Sequence, residues 1–325
     1  MKITVDIASY PMKVPFAITG HVFHETETIL VTVEKDGHVG RGESVGSYYL
    51  DETAESMAAD LDGVSSRIDA DTSPESLQEL MPLCGARNAL DCALWDYRAK
   101  RAGQRIWNLL DITPRELVTV FTIGMETPSV MAERAAAAAQ FPQLKIKLDA
   151  TNPIERLEGI RAARPDATLI IDVNQGWSFE ALKEYLPACQ KLGVAMIEQP
   201  LARGEDAALE GFTSPVPLGA DESCLGLEEF ELAAQRYDVL NIKLDKCGGL
   251  TEGLALVRAA KARGMQLMVG NMTGTSLSMA PSYVVAQFCQ FVDIDGPLLL
   301  AHDIDNGLEY RPGGIVGLPG AALWG

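Results

Sequence analysis

Leu144-Lys145-Ile146-Lys147-Leu148, Thr168-Leu169-Ile170-Ile171-Asp172-Val173 and Val194-Ala195-Met196-Ile197-Glu198 are three short apolar runs, each carrying charge at or near its end. They belong to a series. Val118–Ile123, Val216–Ala220, Val239–Leu244, Gln266–Gly270 and Phe291–Ile294 extend it, so that eight candidate strands start 22 to 27 residues apart. One strand plus one helix fills such an interval, since a βαβ unit with both its strands takes about 30 residues. Runs that stay apolar, instead of alternating, suit parallel strands covered on both faces. Helix signals lie between them. Thr127-Pro128 and Asn152-Pro153-Ile154-Glu155 each read as an N-cap followed by proline, the second with glutamate at the capping-box position. Lys261-Ala262-Arg263-Gly264 reads as a basic last turn closed by glycine. Eight parallel strands at this spacing predict a (β/α)8-type barrel. A doubly wound open sheet is the alternative, but no GxGxxG follows any of the strands.

Upstream the texture differs. Residues 1–50 read as antiparallel strands, with β-branched Thr28–Glu34 leading into Lys35-Asp36-Gly37-His38, a hairpin signal. Residues 52–112 read as helices. In Gly85–Arg101 the residues Ala86, Leu90, Ala93, Leu94 and Tyr97 fall on one face, which predicts a helix packed on a core.

A length of 325 residues suggests about two domains and a large core. With 27 basic against 45 acidic residues the net charge is −18, which argues against a nucleic-acid partner. The N-terminus lacks the apolar stretch of a secretory signal, and no apolar run reaches the roughly 18 residues of a membrane span. Cys84, Cys92, Cys189, Cys224, Cys247 and Cys289 form no CxxC and read as buried free thiols of a cytoplasmic protein. His21, His24, His38 and His302 show no ligand spacing.

In a parallel barrel the chemistry lies at the C-terminal strand ends. Three successive strands there deliver Asp172, Glu198 and Asp221. Unpaired, these carboxylates would repel one another, and a divalent cation resolves the conflict. An all-oxygen set favours a hard ion, Mg²⁺ before Mn²⁺. Period-2 geometry puts Lys145 and Lys147 on one face of the second strand, while Lys243 lies on the sixth, four places away in a ring of eight. Lys147 and Lys243 are thus expected to face each other across the barrel mouth. That placement suits removal of a proton from one face of a carbon and its return to the other, with the ion stabilising an enediolate. A free lysine titrates near about 10.4, and Lys145 with the ion is expected to lower Lys147 toward a useful base. Asp293 and Asp295, on one face of the eighth strand, are a natural receptor for a substrate ammonium group.

Lys145-Ile146-Lys147, Asp172-Val173-Asn174, Glu198-Gln199-Pro200, Asp221-Glu222-Ser223 and the run Asn241 to Gly249 together resemble the enolase superfamily, muconate-lactonizing subgroup. Asp293-Ile294-Asp295-Gly296-Pro297 and Ala86–Asp96 resemble its dipeptide epimerases, including the L-Ala-D/L-Glu epimerases. The resemblance implies an α/β fold, a (β/α)7β modified TIM barrel with an α+β capping domain. The cap would span residues 1–113, the barrel 114–300, and a C-terminal segment, 301–325, would return to the cap. It implies one Mg²⁺ on Asp172, Glu198 and Asp221, acid/base roles for Lys147 and Lys243, and Asp293 and Asp295 as ligands of a dipeptide's ammonium. Thr122, ending the first strand, stands where the family has a threonine near the substrate. The implied reaction inverts the α-carbon of a dipeptide's C-terminal residue, in a protein compatible with homo-oligomers.

The chain departs from that pattern at one place. Relatives that prefer a C-terminal glutamate carry an arginine in the first mobile loop of the cap, whereas Phe16–Glu27 has none. A substrate glutamate would lack its bidentate partner, which opens the site to an apolar or other side chain. Gly274 is also smaller than the acidic residue of some relatives. The same lysines and metal could serve N-acylamino acid racemisation, o-succinylbenzoate synthesis or muconate cycloisomerisation. A Schiff-base aldolase and a non-catalytic barrel are alternatives of a different kind.

Overall fold

The computed structural model describes residues 1–69 and 71–325. Asp36 and Gly37 adopt positive φ, 50° and 78°, as a two-residue hairpin turn requires. They join the second and third strands of an antiparallel sheet ordered β1 (Lys2–Ile18), β2 (His21–Lys35), β3 (His38–Val45). A 3-10 turn at Tyr48–Leu50 leads to α1 (Ala54–Ser65), α2 (Pro74–Leu80), α3 (Gly85–Ala102) and the short α4 (Ile106–Leu109). Thr53 and Ser73 each close a capping box, with Ser56 and Ser76. Ala86, Leu90, Ala93, Leu94 and Tyr97 do share a buried face, packed on Ile29, Val31 and Val33 of the sheet. The helix lies so close that a Cβ on Gly40 or Gly42 would sit 2.1 Å from the carbonyl of Ala93 or Ala89.

The second layer alternates strand and helix. After β4 (Leu117–Val118) come β5 (Phe121–Ile123), α5 (Pro128–Ala137), β6 (Gln143–Lys147), α6 (Pro153–Ala163), β7 (Thr168–Asp172), α7 (Phe179–Lys191) and β8 (Val194–Glu198). They are followed by β9 (Leu218–Ala220), α8 (Leu227–Ala233), β10 (Val239–Ile242), α9 (Leu244–Cys247), α10 (Leu250–Arg263), β11 (Gln266–Val269), α11 (Ser276–Ala286), β12 (Phe291–Val292) and α12 (Gly296–Leu299). Strands β5 to β12 form one parallel sheet in sequence order, joined by seven crossovers. Val120 N donates to Val292 O at 2.9 Å, bringing the last strand to the first. Val120, Ile170, Met196, Val239 and Met268 meet in one buried cluster with Phe291. Side chains from strands so far apart in the order can meet only because the sheet rolls into a barrel.

Several expectations need correction. The predicted strand Val118–Ile123 is two elements: Leu117–Val118 pairs instead with β14 (Ile315–Val316), itself paired with β13 (Tyr310–Arg311). Val120 intervenes and turns into the barrel. Between β8 and β9 there is no α-helix, only a 3-10 turn at Ala207–Leu209, in keeping with the shortest strand interval. Asn152 is in the left-handed region, φ 48°, and makes no side-chain cap, so the expected capping box at Glu155 does not form. The stretch expected as a mobile loop is a continuation of the β1–β2 hairpin, where Phe16 pairs with Phe23, Ala17 with Val22 and Ile18 with His21.

The C-terminal residues tie the layers together. Gly325 N donates to Asp96 Oδ1 at 2.7 Å, and Trp324 Nε1 to Cys92 O at 3.0 Å. All six cysteines are buried and unpaired. Among the described residues no helix is long and apolar enough to cross a membrane.

Candidate active site

Strand register assembles the site. On β6 and just beyond it, Leu144, Ile146 and Leu148 turn outward into the core beneath the helices, so Lys145 and Lys147 turn inward. Lys147 pairs with Asp172 across β6–β7, Asp172 with Glu198 across β7–β8, and Glu198 with Gly219 across β8–β9. Asp221 lies two residues beyond Gly219. The three carboxylates thus occupy neighbouring strand ends, each with no exposed surface. The backbone turns sharply there, with Asn174, Gln175 and Gln199 at φ 45°, 69° and 36°.

Each carboxylate has one oxygen held by a fixed donor and the other turned to the centre. Asp172 Oδ1 accepts from Asn174 N at 3.0 Å, Glu198 Oε1 from Asn241 Nδ2 at 2.7 Å, and Asp221 Oδ1 from Lys246 Nζ at 2.8 Å. The second oxygens meet ammonium groups. Lys147 Nζ lies 2.6 Å from Asp172 Oδ2, and Lys243 Nζ lies 2.6 Å from Asp221 Oδ2. Lys145 Nζ stands among Asp293 Oδ2, Glu198 Oε2 and Asp172 Oδ2 at 2.8, 2.9 and 3.1 Å. Gln199 braces the loop that carries Asp221, its Oε1 accepting from Asp221 N and Ser223 N at 2.9 and 3.0 Å.

The charges answer one another. Burial alone would raise Asp172 and Asp221. Lys147 and Lys145 for the first, and Lys243 and Lys246 for the second, outweigh burial and hold both well below the usual carboxylate range. Glu198 goes the other way, pushed up to about 7 by burial and by Asp172. Burial opposes the charge on Lys145 and Lys243 as well. It is overcome on Lys145 by Asp293, Glu198 and Asp172, and on Lys243 chiefly by Asp221, so both ammonium groups are held above their ordinary range.

Among the described residues no three His, Cys, Asp or Glu side chains are drawn together tightly enough to ligate an ion as they stand. The donor set nevertheless fits a hard divalent cation. It is all oxygen, and Glu198 Oε2 and Asp221 Oδ2 are buried with only the ammonium groups of Lys145 and Lys243 against them. The ammonium groups now supply the positive charge that these oxygens require.

Strand eight brings Asp293 and Asp295 in at the side. Asp293 Oδ1 accepts from Asn271 Nδ2 at 2.9 Å, and Asp295 Oδ2 accepts from Thr122 N at 2.6 Å. Burial and the neighbouring Asp293 push Asp295 well above the usual carboxylate range. Lys147 and Lys243 line a single small cavity of about 40 Å³. The cap closes it with Phe16, Ile18, Phe23, Tyr48 and Tyr49, and the barrel adds Glu222, Asn271 and Met272. Glu222 is buried with neither carboxylate oxygen partnered, and burial and Asp221 push it up to about 8. Sequence reasoning quoted Asn241, Lys246, Gln199 and Glu222 within motifs without giving them work. Polar side chains at buried strand ends were the signal for the first three. Nothing in the chain order marks Phe16, Phe23, Tyr48 or Tyr49 as neighbours of the lysines.

An α+β cap over a parallel barrel, with carboxylates on three successive strand ends between two opposed lysines, defines a class of enolase-like barrels. Residues 130–313 match the family described as Enolase C-terminal domain-like, and residues 2–111 the Mandelate racemase / muconate lactonizing enzyme N-terminal domain. The chain belongs to the enolase superfamily, in its mandelate racemase and muconate-lactonizing branch. It is 40% identical over 308 residues to the L-Ala-D/L-Glu epimerase of Escherichia coli (strain K12), covering 94% of this chain and 96% of the relative. It is 41% identical over 245 residues to an N-acetyl-D-glutamate racemase from Pseudoalteromonas sp, covering 75% and 78%. A crystal structure from Agrobacterium tumefaciens, an enolase family member with homology to dipeptide epimerases holding sodium and L-Ala-L-Glu, is similar with TM-score 0.96 and 40% identity, covering 99% of both chains. Other solved dipeptide epimerases of this fold are complexed with Mg and a dipeptide.

Proposed function

We propose that the protein is a metal-dependent dipeptide epimerase that inverts the α-carbon of the C-terminal residue. The observation that carries this reading is the placement of Lys147 and Lys243 on strands four apart, in one cavity, with Asp172, Glu198 and Asp221 between them and Asp293 and Asp295 beside them. Asp172, Glu198 and Asp221 would hold Mg²⁺ through the oxygens they turn to the centre. The ion would supply the positive charge that makes the α-proton of a carboxylate removable.

The chain's own residues do the rest. One lysine takes the proton from one face of the α-carbon, and the other, already protonated, returns one to the opposite face. The direction depends on which epimer is bound. Lys145, beside Lys147 and sharing Asp172 Oδ2 with it, keeps positive charge next to the base. Asp293 and Asp295 receive the substrate's ammonium group, with Thr122 N holding Asp295 in place. The C-terminal side chain meets the cap wall of Phe16, Ile18, Phe23 and Tyr48. The only cations among the described residues lining the cavity are the two lysines. An apolar side chain fits that wall better than glutamate.

The test is incubation of L-Ala-L-Leu, L-Ala-L-Phe and L-Ala-L-Glu in D₂O with Mg²⁺, read by mass and chiral chromatography. The apolar dipeptides should gain one deuterium and invert, faster than L-Ala-L-Glu. No exchange with any dipeptide removes the epimerase reading, and a preference for L-Ala-L-Glu removes the side-chain assignment. Asp295→Asn should cost dipeptide turnover but leave exchange into an N-acetylamino acid unharmed. Asp293→Asn is a poorer probe, because Asp293 also holds Lys145.

A further inference from the structure

We infer that Asn241 and Lys246 are positioning residues that decide which oxygen of Glu198 and of Asp221 faces the cation. The inference rests on the metal reading above and concerns residues to which that reading gives no part. A carboxylate offers two equivalent oxygens, so a ligand set built from free carboxylates has many arrangements. Here the choice is made by other side chains. Asn241 Nδ2 takes Glu198 Oε1 at 2.7 Å and leaves Oε2 to Lys145 Nζ at 2.9 Å. Lys246 Nζ takes Asp221 Oδ1 at 2.8 Å and the Asp221 carbonyl at 2.5 Å, leaving Oδ2 to Lys243 Nζ at 2.6 Å. Each remaining oxygen meets only a lysine ammonium group, with no neutral donor to hold it.

Neither donor is there by default. Asn241 has no exposed surface and Lys246 only 1%, and each sits at a buried position where apolar side chains are the rule. Asn241 interrupts β10, and Lys246 lies in the single turn that follows it. The two come from one segment, so one strand end sets both partners. Room for Asn241 is reserved beside the next strand. A Cβ on Gly270, just after β11, would lie 2.8 Å from the amide of Asn241 and 2.9 Å from Cε of Lys243. Any larger residue there would press on Asn241 and Lys243 together.

Partners that orient a ligand from behind typically change metal affinity by about 10–100-fold when removed. The experiment measures Mg²⁺ and Mn²⁺ binding by calorimetry, and Mn²⁺ by electron paramagnetic resonance, on the wild-type protein and on Asn241→Leu, Lys246→Met and Gly270→Ala. Thermal melts without metal establish that each variant is folded. Asn241→Leu exchanges one neutral side chain for another of similar size, so it carries the test if Lys246→Met does not fold.

The expected result is a loss of cation affinity of about 10–100-fold in each variant. For Asn241→Leu, kcat should be largely restored at saturating Mg²⁺, because the chemical groups are untouched. A merely structural role would lower the melting temperature and leave the affinity of the folded fraction unchanged. Wild-type affinity in folded Asn241→Leu and Lys246→Met overturns the inference. A wild-type protein that binds neither ion overturns it together with the metal reading, which separates the two failures.

Discussion

Replacing Lys243 with methionine keeps most of the apolar stem and removes the ammonium group, and the structure sets the consequences in advance. Lys243 Nζ lies 2.6 Å from Asp221 Oδ2, while Asp221 Oδ1 keeps Lys246 at 2.8 Å. Stranding one partner of a buried pair costs about 3–5 kcal/mol. Asp221 is not stranded, so about 3 kcal/mol or less is expected and the variant should fold. The chemical loss is larger in effect. A positioned acid or base contributes about 10²–10⁴-fold, equivalent to about 2.7–5.4 kcal/mol of barrier. Epimerisation of a dipeptide should therefore fall by at least about 100-fold. Proton removal on the other face should survive, since Lys147 and its partners Asp172 and Asn174 are untouched. In D₂O one epimer should exchange its α-proton without inverting, and the other should do neither. Mass spectrometry counts the deuterium, chiral chromatography counts inversion, and a thermal melt of the same sample confirms folding. Inversion within about tenfold of wild type, or exchange by both epimers, would refute the two-lysine scheme.

Two further predictions concern the scaffold. Asp91 is fully buried and pushed up to about 7 by burial, with Thr251 N and Oγ1 as donors at 3.1 and 2.6 Å. Between its unfolded and folded values the native state holds a proton that the unfolded chain has lost, so this group's contribution falls as pH rises from about 4 to 7, by up to roughly 4 kcal/mol. Asp91→Asn should flatten the decline in urea-unfolding stability between pH 5 and 8, and curves parallel to wild type would sink the assignment. Gly42→Ala places a Cβ 2.1 Å from Ala89 O. It should cost about 1–3 kcal/mol or more in a calorimetric melt, and an unchanged melting temperature would mean that α3 does not lie so close to the sheet.

Much of the barrel and its rim is written in the chain order. Parallel strands buried on both faces must be apolar, so Lys147, Asp172, Glu198 and Lys243 stand out against their neighbours, and a period of two assigns Lys145 and Lys147 to one face. The hairpin at Asp36-Gly37 and the buried face of α3 are local in the same sense, since each depends on residues within a few positions. What the tertiary structure alone decides is which groups share an environment. Lys145 reaches Asp293 across 148 residues and Glu198 from two strands away, so its charge is bound by three carboxylates that no local pattern brings together. The cap residues Phe16, Phe23 and Tyr48 meet the lysines only once the two layers dock. Which oxygen of Glu198 and of Asp221 is left to the lysines rests on Asn241 and Lys246, and for Asn241 on the space that Gly270 leaves. Periodicity reports which face a side chain takes, because that follows from backbone geometry. Distances between groups far apart in the chain, and the charge state that each imposes on the other, follow from strand register and burial, which exist only in the folded molecule.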